Sequence, residues 1–223
     1  SLVDSKNLNL HIGFNRRFDP DFSSLKSSVA DGEIGDIHMI KIISRDPSPP
    51  PISYIEKSGG MFLDMTIHDF DMVKYLSDVE ISEVYAKGDC FIDPEIKKAN
   101  DIDTAVINMT LKNGVLATIQ NSRKAVYGYD QRIEVLGSKG TLIVGNKLLH
   151  GVIKGTKDGF TSANPKNFFI DRYKESYQIE IADFIRSLSG EAVDHAGVED
   201  GLHALKIGLA ANKSLLQNKP IQL

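Results

Sequence analysis

The sequence lacks several features that mark common classes of protein. It contains one cysteine, Cys90, so no internal disulfide can form, and this favours a reducing compartment. No apolar run approaches the roughly 20 residues of a membrane span. The net charge is −4, without a run of five like charges, which argues against nucleic acid or an anionic membrane as a partner. We therefore expect a cytoplasmic protein.

Glycine spacing removes two further classes. No Gly-x-Gly pair occurs, so the 223 residues contain neither the dinucleotide-binding fingerprint nor a phosphate-binding glycine loop. No Gly-x-Ser-x-Gly elbow of a serine hydrolase occurs either. The composition, 41% hydrophobic and 25% charged, is ordinary for a globular protein of this length.

Hydrophobic periodicity predicts a run of strands in the middle of the chain, with helices before and after it. Strands are predicted over Leu8–Phe14, Ile37–Ile43, Val84–Phe91, Thr104–Leu111, Val115–Asn121, Gln131–Leu136 and Thr141–Val144. Helices are predicted after Asp19-Pro20, over Gly60–Ser77, from Tyr173 to Leu188 and over Val198–Gln217, and residues 151–167 resemble an exposed loop. On the last helix, the side that carries Leu202, Leu205, Leu209, Leu215 and Leu216 is predicted to be buried.

These elements predict an α+β domain with an open, mainly antiparallel sheet and helices on one face. The alternation in Thr104–Leu111 places Ala105 and Ile107 on one side and Val106 and Asn108 on the other. The second side is not strongly charged, so it is available for a second subunit.

The stretch around His68 carries polar groups among apolar neighbours. On one continuous helix, Asp64, His68 and Asp71 would project from the same face. A carboxylate one turn from an imidazole is a plausible general-base pair. A solvated carboxylate beside a hydrogen-bonded core histidine is the plain alternative, and the metal site of a metal-dependent hydrolase is a third interpretation.

Other polar side chains lie at predicted strand ends. Arg16 and Arg45 each follow a strand, where a guanidinium can bind hydroxyl or carboxylate oxygens or form a surface salt bridge. Tyr127 and Tyr129 flank a glycine between strands. They suit a polyhydroxylated ligand because they offer a flat apolar face and phenol donors, although they could also simply pack.

Taken together, several motifs follow the order found in a known family. They are Gly13-Phe14-Asn15-Arg16-Arg17-Phe18-Asp19-Pro20, Gly32-Glu33-Ile34-Gly35-Asp36, Ser44-Arg45-Asp46-Pro47, Gly59-Gly60 with Asp64-x-x-x-His68-Asp69-x-Asp71, Tyr127-Gly128-Tyr129-Asp130 and Gly137-Ser138-Lys139-Gly140-Thr141. Through almost its whole length, the chain resembles the C-terminal domain of the glucose–fructose oxidoreductase/inositol dehydrogenase family. The resemblance is closest to the inositol 2-dehydrogenases, including the scyllo-inositol dehydrogenase-like proteins.

The resemblance implies roles for individual residues. His68 would accept the proton of the hydroxyl being oxidised, and Asp64 would be its catalytic partner. The positions that would contact the cyclitol are Arg16, Asp46, Asp71, Tyr127 and Tyr129. Some inositol dehydrogenases carry Asn at position 46, and the proline-rich stretch after it is longer here, so the substrate's identity stays open.

The resemblance also implies a domain organisation. Family members bind NAD or NADP through an N-terminal Rossmann domain that would precede Leu8, together with a catalytic lysine in a Glu-Lys-Pro motif. Residues 1–223 are therefore expected to form the substrate-binding and oligomerisation domain. Residues 1–14 would be a linker strand from the missing Rossmann domain, and Ser1–Asn7 would mark its boundary. The cofactor-binding residues are thus unknown.

Two expectations about partners follow from this organisation. The isolated chain should bind no cofactor tightly and be inactive, while the full-length parent should form a homodimer or homotetramer through the open sheet face. The alternative from a different class is a non-enzymatic polyol-binding or oligomerisation module that has lost its nucleotide domain.

Overall fold

The computed structural model describes residues 2–6 and 8–223, and of residues 2 and 4 only the backbone. Within these residues, seven strands, numbered in chain order, form one open sheet. From one edge of the sheet to the other they are β6 (Gly140–Val144), β5 (Asp130–Gly137), β1 (Ile37–Arg45), β4 (Leu116–Ser122), β3 (Thr104–Leu111), β2 (Ile81–Asp89) and β9 (Ile221–Gln222). Strands β1 and β4 pair in parallel, and all other neighbours in this sheet are antiparallel.

The helices precede, interrupt and follow the sheet in sequence. They are α1 (Leu2–Ser5), α2 (Pro20–Ala30), α3 (Ile52–Ser58), α4 (Met61–Asp64), α5 (Ile67–Ser77), α6 (Pro94–Lys98), α7 (Phe169–Arg172), α8 (Lys174–Leu188) and α9 (Val198–Gln217), with a 3-10 helix at Asn15–Phe18. Within the described ranges, no helix combines the length and the apolar character needed to cross a bilayer.

The predicted open α+β fold is confirmed, and the alternation of β3 shows how it arises. Ala105 and Ile107 are buried on the helix-covered face, whereas Val106 on the opposite face is 44% exposed. On that open face, Met39 of β1 lies between Leu116 of β4 and Leu136 of β5. These three side chains are 41%, 50% and 42% exposed, so no part of the described chain covers them fully.

Residues 8–14 and 151–167 differ from the sequence-based prediction. Leu8–Phe14 is not a strand: it lies outside the sheet, and Ile12 N–H donates a backbone hydrogen bond to Ala196 O at 2.8 Å. The predicted loop at 151–167 contains an exposed hairpin of β7 (Ile153–Thr156) and β8 (Gly159–Ser162). Ser1 and Asn7, which bound the predicted domain boundary, lie outside the described residues.

The predicted helix over Gly60–Ser77 is two helices. The break falls at Met65 and Thr66, and the Thr66 hydroxyl donates to Asn121 Oδ1 on β4 at 2.7 Å. Thr66 N–H also reaches back five residues to Met61 O, at 3.0 Å. The hydroxyl and the N–H of Thr66 thus have hydrogen-bond partners outside the regular helical pattern, and this allows the helix to be interrupted here. Asp64 and His68 therefore lie on different helices.

Helix α9 has the predicted boundaries, but of the five leucines predicted to be buried only Leu215 packs partly against the core. Leu202, Leu209 and Leu216 are 40%, 52% and 85% exposed. The buried residues are instead small ones, together with one isoleucine: Ala204, Ile207, Gly208, Ala210, Ala211 and Ser214. Small side chains let α9 approach α4 closely, because a Cβ at Gly208 would lie 2.5 Å from Leu63 Cδ2 and 3.3 Å from Phe62 O.

We expect Gly208→Val to destabilise the fold by about 2 kcal/mol, because overpacking forces α9 away from α4. Urea unfolding followed by circular dichroism measures this change. Leu216→Val is the matched control in the same helix, since it places the same β-branched residue at an exposed position. It should change the free energy of unfolding by less than about 0.5 kcal/mol. Equal effects of the two substitutions would contradict the close contact at Gly208.

Candidate active site

A cavity of about 560 Å³ lies where the 3-10 helix, α4 and the start of α5 meet the ends of several loops. Its volume is within the range of small-molecule sites. Its lining contains both apolar and polar side chains. The lining residues are Asn15, Arg16, Asp46, Ser48, Pro49, Pro50, Pro51, Tyr54, Asp64, Met65, His68, Arg123, Tyr129, Phe168, Phe169, Tyr173 and Tyr177.

His68 lies in the first turn of α5 and faces the cavity. Its Nδ1 is buried without a hydrogen-bond partner among the described residues, and Phe14 packs edge-on against the ring at 5.7 Å. Burial, reinforced by the nearby Arg16 guanidinium, lowers the pKa of His68 to about 3. The imidazole is therefore neutral near pH 7, which is the form that accepts a proton.

Asp64, at the end of α4, faces the same cavity but has different partners. It accepts hydrogen bonds from Tyr54 Oη at 2.7 Å and from Arg123 Nη1 at 3.4 Å. No hydrogen bond joins Asp64 to His68 in the part of the chain that the structure describes. The expected carboxylate–imidazole pair is therefore present in one cavity, but as two groups on separate helices.

Arg16 lies near His68. It belongs to a buried hydrogen-bond network with Ser44, Asp69 and Asn121, which we call the polar floor of the cavity. Its Nη1 forms an ion pair with Asp69, and its Nη2 donates to Ser44 Oγ at 3.2 Å. The Asp69 carboxylate also accepts from Asn121 Nδ2 at 2.8 Å, and Ser44 Oγ donates to Gln131 Oε1 at 3.1 Å. A buried charge needs such partners to remain ionised. The floor therefore presents a fixed positive group to the cavity.

Asp46 and Tyr129 also line the cavity, and each has a polar end without a hydrogen-bond partner among the described residues. Burial raises the pKa of the Asp46 carboxyl to about 6, although Arg123 and Arg16 oppose the shift. Burial also raises the pKa of Tyr129, so its phenol stays protonated. Together with His68, these groups form a set of donors and acceptors that a bound ligand could satisfy.

Two residues expected around the ligand do not reach the cavity. The Asp71 carboxylate is buried against Arg17, whose Nε donates to Asp71 Oδ2 at 2.9 Å. The break before α5 separates it from the face that carries Asp64. Tyr127 receives a hydrogen bond from Arg45 Nη1 at 2.9 Å and donates to Asp130 Oδ2 at 2.6 Å. Asp71 and Tyr127 therefore bind Arg17 and Arg45 and are not among the residues that line the cavity.

The structure adds lining residues that sequence reasoning missed. Arg123 is fully buried between Asp64 and Asp101, and Tyr54 hydrogen-bonds Asp64. Tyr173 and Tyr177 also line the cavity, although the sequence pattern placed them only within a predicted helix that starts at Tyr173. The single signal for Arg123 was its charge directly after a buried strand. Among the described residues, no group of three or more His, Cys, Asp or Glu side chains is placed to hold a metal ion.

Comparisons with known proteins agree on one family. The sequence model of the GFO/IDH/MocA C-terminal domain matches residues 22–143. The chain is 49% identical over 215 residues to a myo-inositol 2-dehydrogenase of Thermotoga maritima, covering 96% of this chain and 64% of that protein. It is 42% identical over 222 residues to an inositol 2-dehydrogenase of Rhizobium meliloti, covering 100% of this chain and 67% of that protein.

Solved structures show the same relationship. The crystal structure of scyllo-inositol dehydrogenase from Lactobacillus casei, with bound NAD(H) and scyllo-inositol, superposes with a TM-score of 0.90 at 31% identity. The match covers 99% of this chain and 66% of that one. The chain thus spans about two thirds of the length of the relatives that it matches.

The low pKa of His68 predicts a dependence of stability on pH. In the unfolded chain the imidazole binds a proton near its ordinary pKa of 6.5, whereas in the folded protein it does so only near 3. The unfolded state therefore binds more protons between these values, and the stabilisation from a neutral His68 is lost as the pH falls.

Replacing His68 by Gln should remove this contribution to the pH dependence of stability. As the pH is lowered from about 6.5 to about 4, wild type should lose up to about 1.4 kcal/mol per pH unit more stability than His68→Gln. Urea unfolding of both proteins across this range measures the difference. Parallel pH profiles would show that His68 is not buried in its neutral form.

Proposed function

The chain belongs to the GFO/IDH/MocA C-terminal domain family, and we propose that it is the substrate-binding and catalytic-base part of a nicotinamide-dependent oxidoreductase. The substrate we propose is the CH–OH group of a cyclitol or sugar, with inositol first among them. The single observation that carries the proposal is the buried, neutral imidazole of His68, whose Nδ1 has no hydrogen-bond partner among the described residues, in a cavity that Arg16, Asp46 and Tyr129 also line. The named relatives support inositol as the substrate class.

His68 would act as the general base. Oxidation of an alcohol to a ketone releases the hydroxyl proton, and a neutral imidazole in hydrogen-bond reach accepts it. The positive charge gained by His68 would face the cavity that Asp64 also lines. We propose that this carboxylate stabilises the imidazolium, which is the role of a catalytic partner.

The polyol itself would be held by Arg16, Asp46 and Tyr129. A cyclitol presents a ring of hydroxyls, each both a donor and an acceptor. A guanidinium donates, a carboxylate accepts and a phenol can do either, so the three together discriminate the orientation of neighbouring hydroxyls. Asp71 and Tyr127 enter this proposal only indirectly, through Arg17 and Arg45.

The apolar side chains that line the cavity would suit the nicotinamide of NAD or NADP. Pro50, Phe168, Phe169 and Tyr177 give the cavity flat apolar surface, which suits an aromatic ring. When bound, the nicotinamide would take a hydride from the carbon that bears the hydroxyl. The chain has no glycine-rich phosphate loop, so we propose that the rest of the cofactor is held by a nucleotide-binding part of the natural protein.

The role of His68 predicts a large loss of turnover. In the natural protein that contains this sequence, His68→Ala should lower kcat for inositol oxidation on the order of 10²- to 10⁴-fold. Initial rates of NAD(P)H formation across the inositol isomers measure it. Near-normal turnover would remove His68 from the chemistry.

The isolated 223-residue chain is the control for the cofactor. It should show no dehydrogenase activity, and calorimetry should detect no tight binding of NAD. Micromolar binding of NAD by this chain would contradict the proposal that a separate nucleotide-binding part of the natural protein holds the cofactor. A natural protein that binds inositol but turns over no isomer with either cofactor would instead support the alternative, a non-enzymatic polyol-binding module.

We also propose that two copies associate through the open sheet face. Leu116, Met39 and Leu136 form an exposed apolar row across β4, β1 and β5. An exposed contiguous apolar patch marks an interaction surface, and an isologous contact of two sheets would cover it.

Leu116→Glu combined with Leu136→Glu should therefore shift the protein from an oligomer to a monomer in sedimentation velocity. The two carboxylates would face their symmetry mates in the interface, where like charges repel. Leu216→Glu, on an exposed side of α9, is the control and should leave the oligomer intact. A wild-type protein that is monomeric at micromolar concentration would contradict the interface.

A further inference from the structure

Arg123 is the most deeply buried charged side chain of the cavity. It directly follows β4 and is 1% exposed. Its Nη2 binds Asp101 Oδ2 at 3.1 Å, and its Nη1 binds Asp64 Oδ2 at 3.4 Å. The guanidinium therefore lies between the carboxylate of Asp64, which lines the cavity, and that of Asp101, which does not.

The two carboxylates belong to opposite ends of the same short helix. Asp64 is the last residue of α4, whereas Asp101 Oδ1 accepts a hydrogen bond from the backbone N–H of Met61, the first residue, at 2.9 Å. Gly60, which precedes α4, has no side chain to cap it. Arg123 and Asp101 thus bind α4 at both ends, and we call these two residues the α4 clamp.

Helix α4 needs such support. It has four residues, and a single helical turn is unstable in isolation because few hydrogen bonds compensate the loss of backbone entropy. Its link to α5 is broken at Met65 and Thr66, so α5 does not extend it. The position of the Asp64 carboxylate therefore depends on contacts from outside the helix.

The arrangement is not the one expected of a purely stabilising arginine. Arg123 Nε is buried and has no hydrogen-bond partner among the described residues. An unsatisfied buried donor reduces stability, so a structural role alone would favour a fully bonded guanidinium or an apolar side chain. A group retained at such a cost next to a cavity points to function.

We propose that Arg123 is a positioning residue that, with Asp101, fixes Asp64 at the cavity wall. The inference rests on the proposed function for the role of Asp64, but the clamp itself follows from the contacts described above. Arg123 affects the reaction only by holding Asp64 in position, so no contact between Arg123 and the reacting hydroxyl is required.

Steady-state kinetics of the natural protein tests the catalytic consequence. Arg123→Met should lower kcat on the order of 100-fold, because displacement of a catalytic group by about 1 Å has effects of this size. KM should change by less than about threefold if the lost interaction forms mainly in the transition state. Arg123→Lys, which keeps one charge near one carboxylate, should recover part of the loss, and Asp101→Asn should reproduce part of it.

Arg186→Met is the matched control. Arg186 also binds two carboxylates, those of Asp183 and Glu191, but it is exposed and does not line the cavity. It should leave kcat and KM unchanged. If Arg123→Met is folded and its kcat stays within about threefold of wild type, Arg123 does not position a catalytic group.

Hydrogen exchange tests the clamp without any activity. The amides of Asp64 and Met65 bond to Gly60 O and Met61 O, at 2.9 Å each. In Arg123→Lys and Asp101→Asn they should exchange at least about tenfold faster, while amides of β3 keep their protection. Unchanged exchange would overturn the clamp. Faster exchange in a protein that oxidises neither a cyclitol nor a sugar would support the clamp and refute the proposed function, so the two failures are distinguishable.

Discussion

The buried ion pair between Arg16 and Asp69 is the interaction on which the site depends. It joins the 3-10 helix to α5, and Asn121 of β4 binds the same carboxylate. Two charges removed from water must be fully partnered, so neither residue can move without breaking the floor of the cavity. His68, the residue next to Asp69, is thereby held at the cavity wall, and the Arg16 charge adds to burial in keeping its imidazole neutral.

The break between α4 and α5 follows from the same floor. Thr66 donates to Asn121, whose amide group also binds Asp69. A continuous helix would set Asp64 one turn from His68, as the spacing suggested. The interrupted one lets each residue approach the cavity from its own helix. The positions of Asp64 and His68 at the cavity are therefore decided by a buried polar network, and Arg123 and Asp101 hold the shorter helix, α4.

Local pattern was sufficient for most of the fold. Alternation located β3 at its observed bounds, and Asp19-Pro20 marked the start of α2, where the Asp19 carboxylate accepts from backbone N–H groups. These signals depend on neighbours in sequence, so a sequence can report them. The orientation of α9 could not be predicted in this way. Its leucines suggested one buried side, but the close approach of α4 at Gly208 requires small residues there.

The sequence by itself therefore determined the strands of the open sheet from β1 to β6, the helices α2, α8 and α9, and the chemistry available, including an acid and an imidazole at positions 64 and 68. Only the tertiary structure decided which polar groups meet. It placed Asp46 and Tyr129 in the cavity, turned Asp71 towards Arg17 and brought in Arg123. The physical reason is that a buried charged side chain is stable only where hydrogen-bond and ion-pair partners surround it, so these partners decide its position. Those partners come from strands and loops far apart in the chain, and helical spacing carries no information about them.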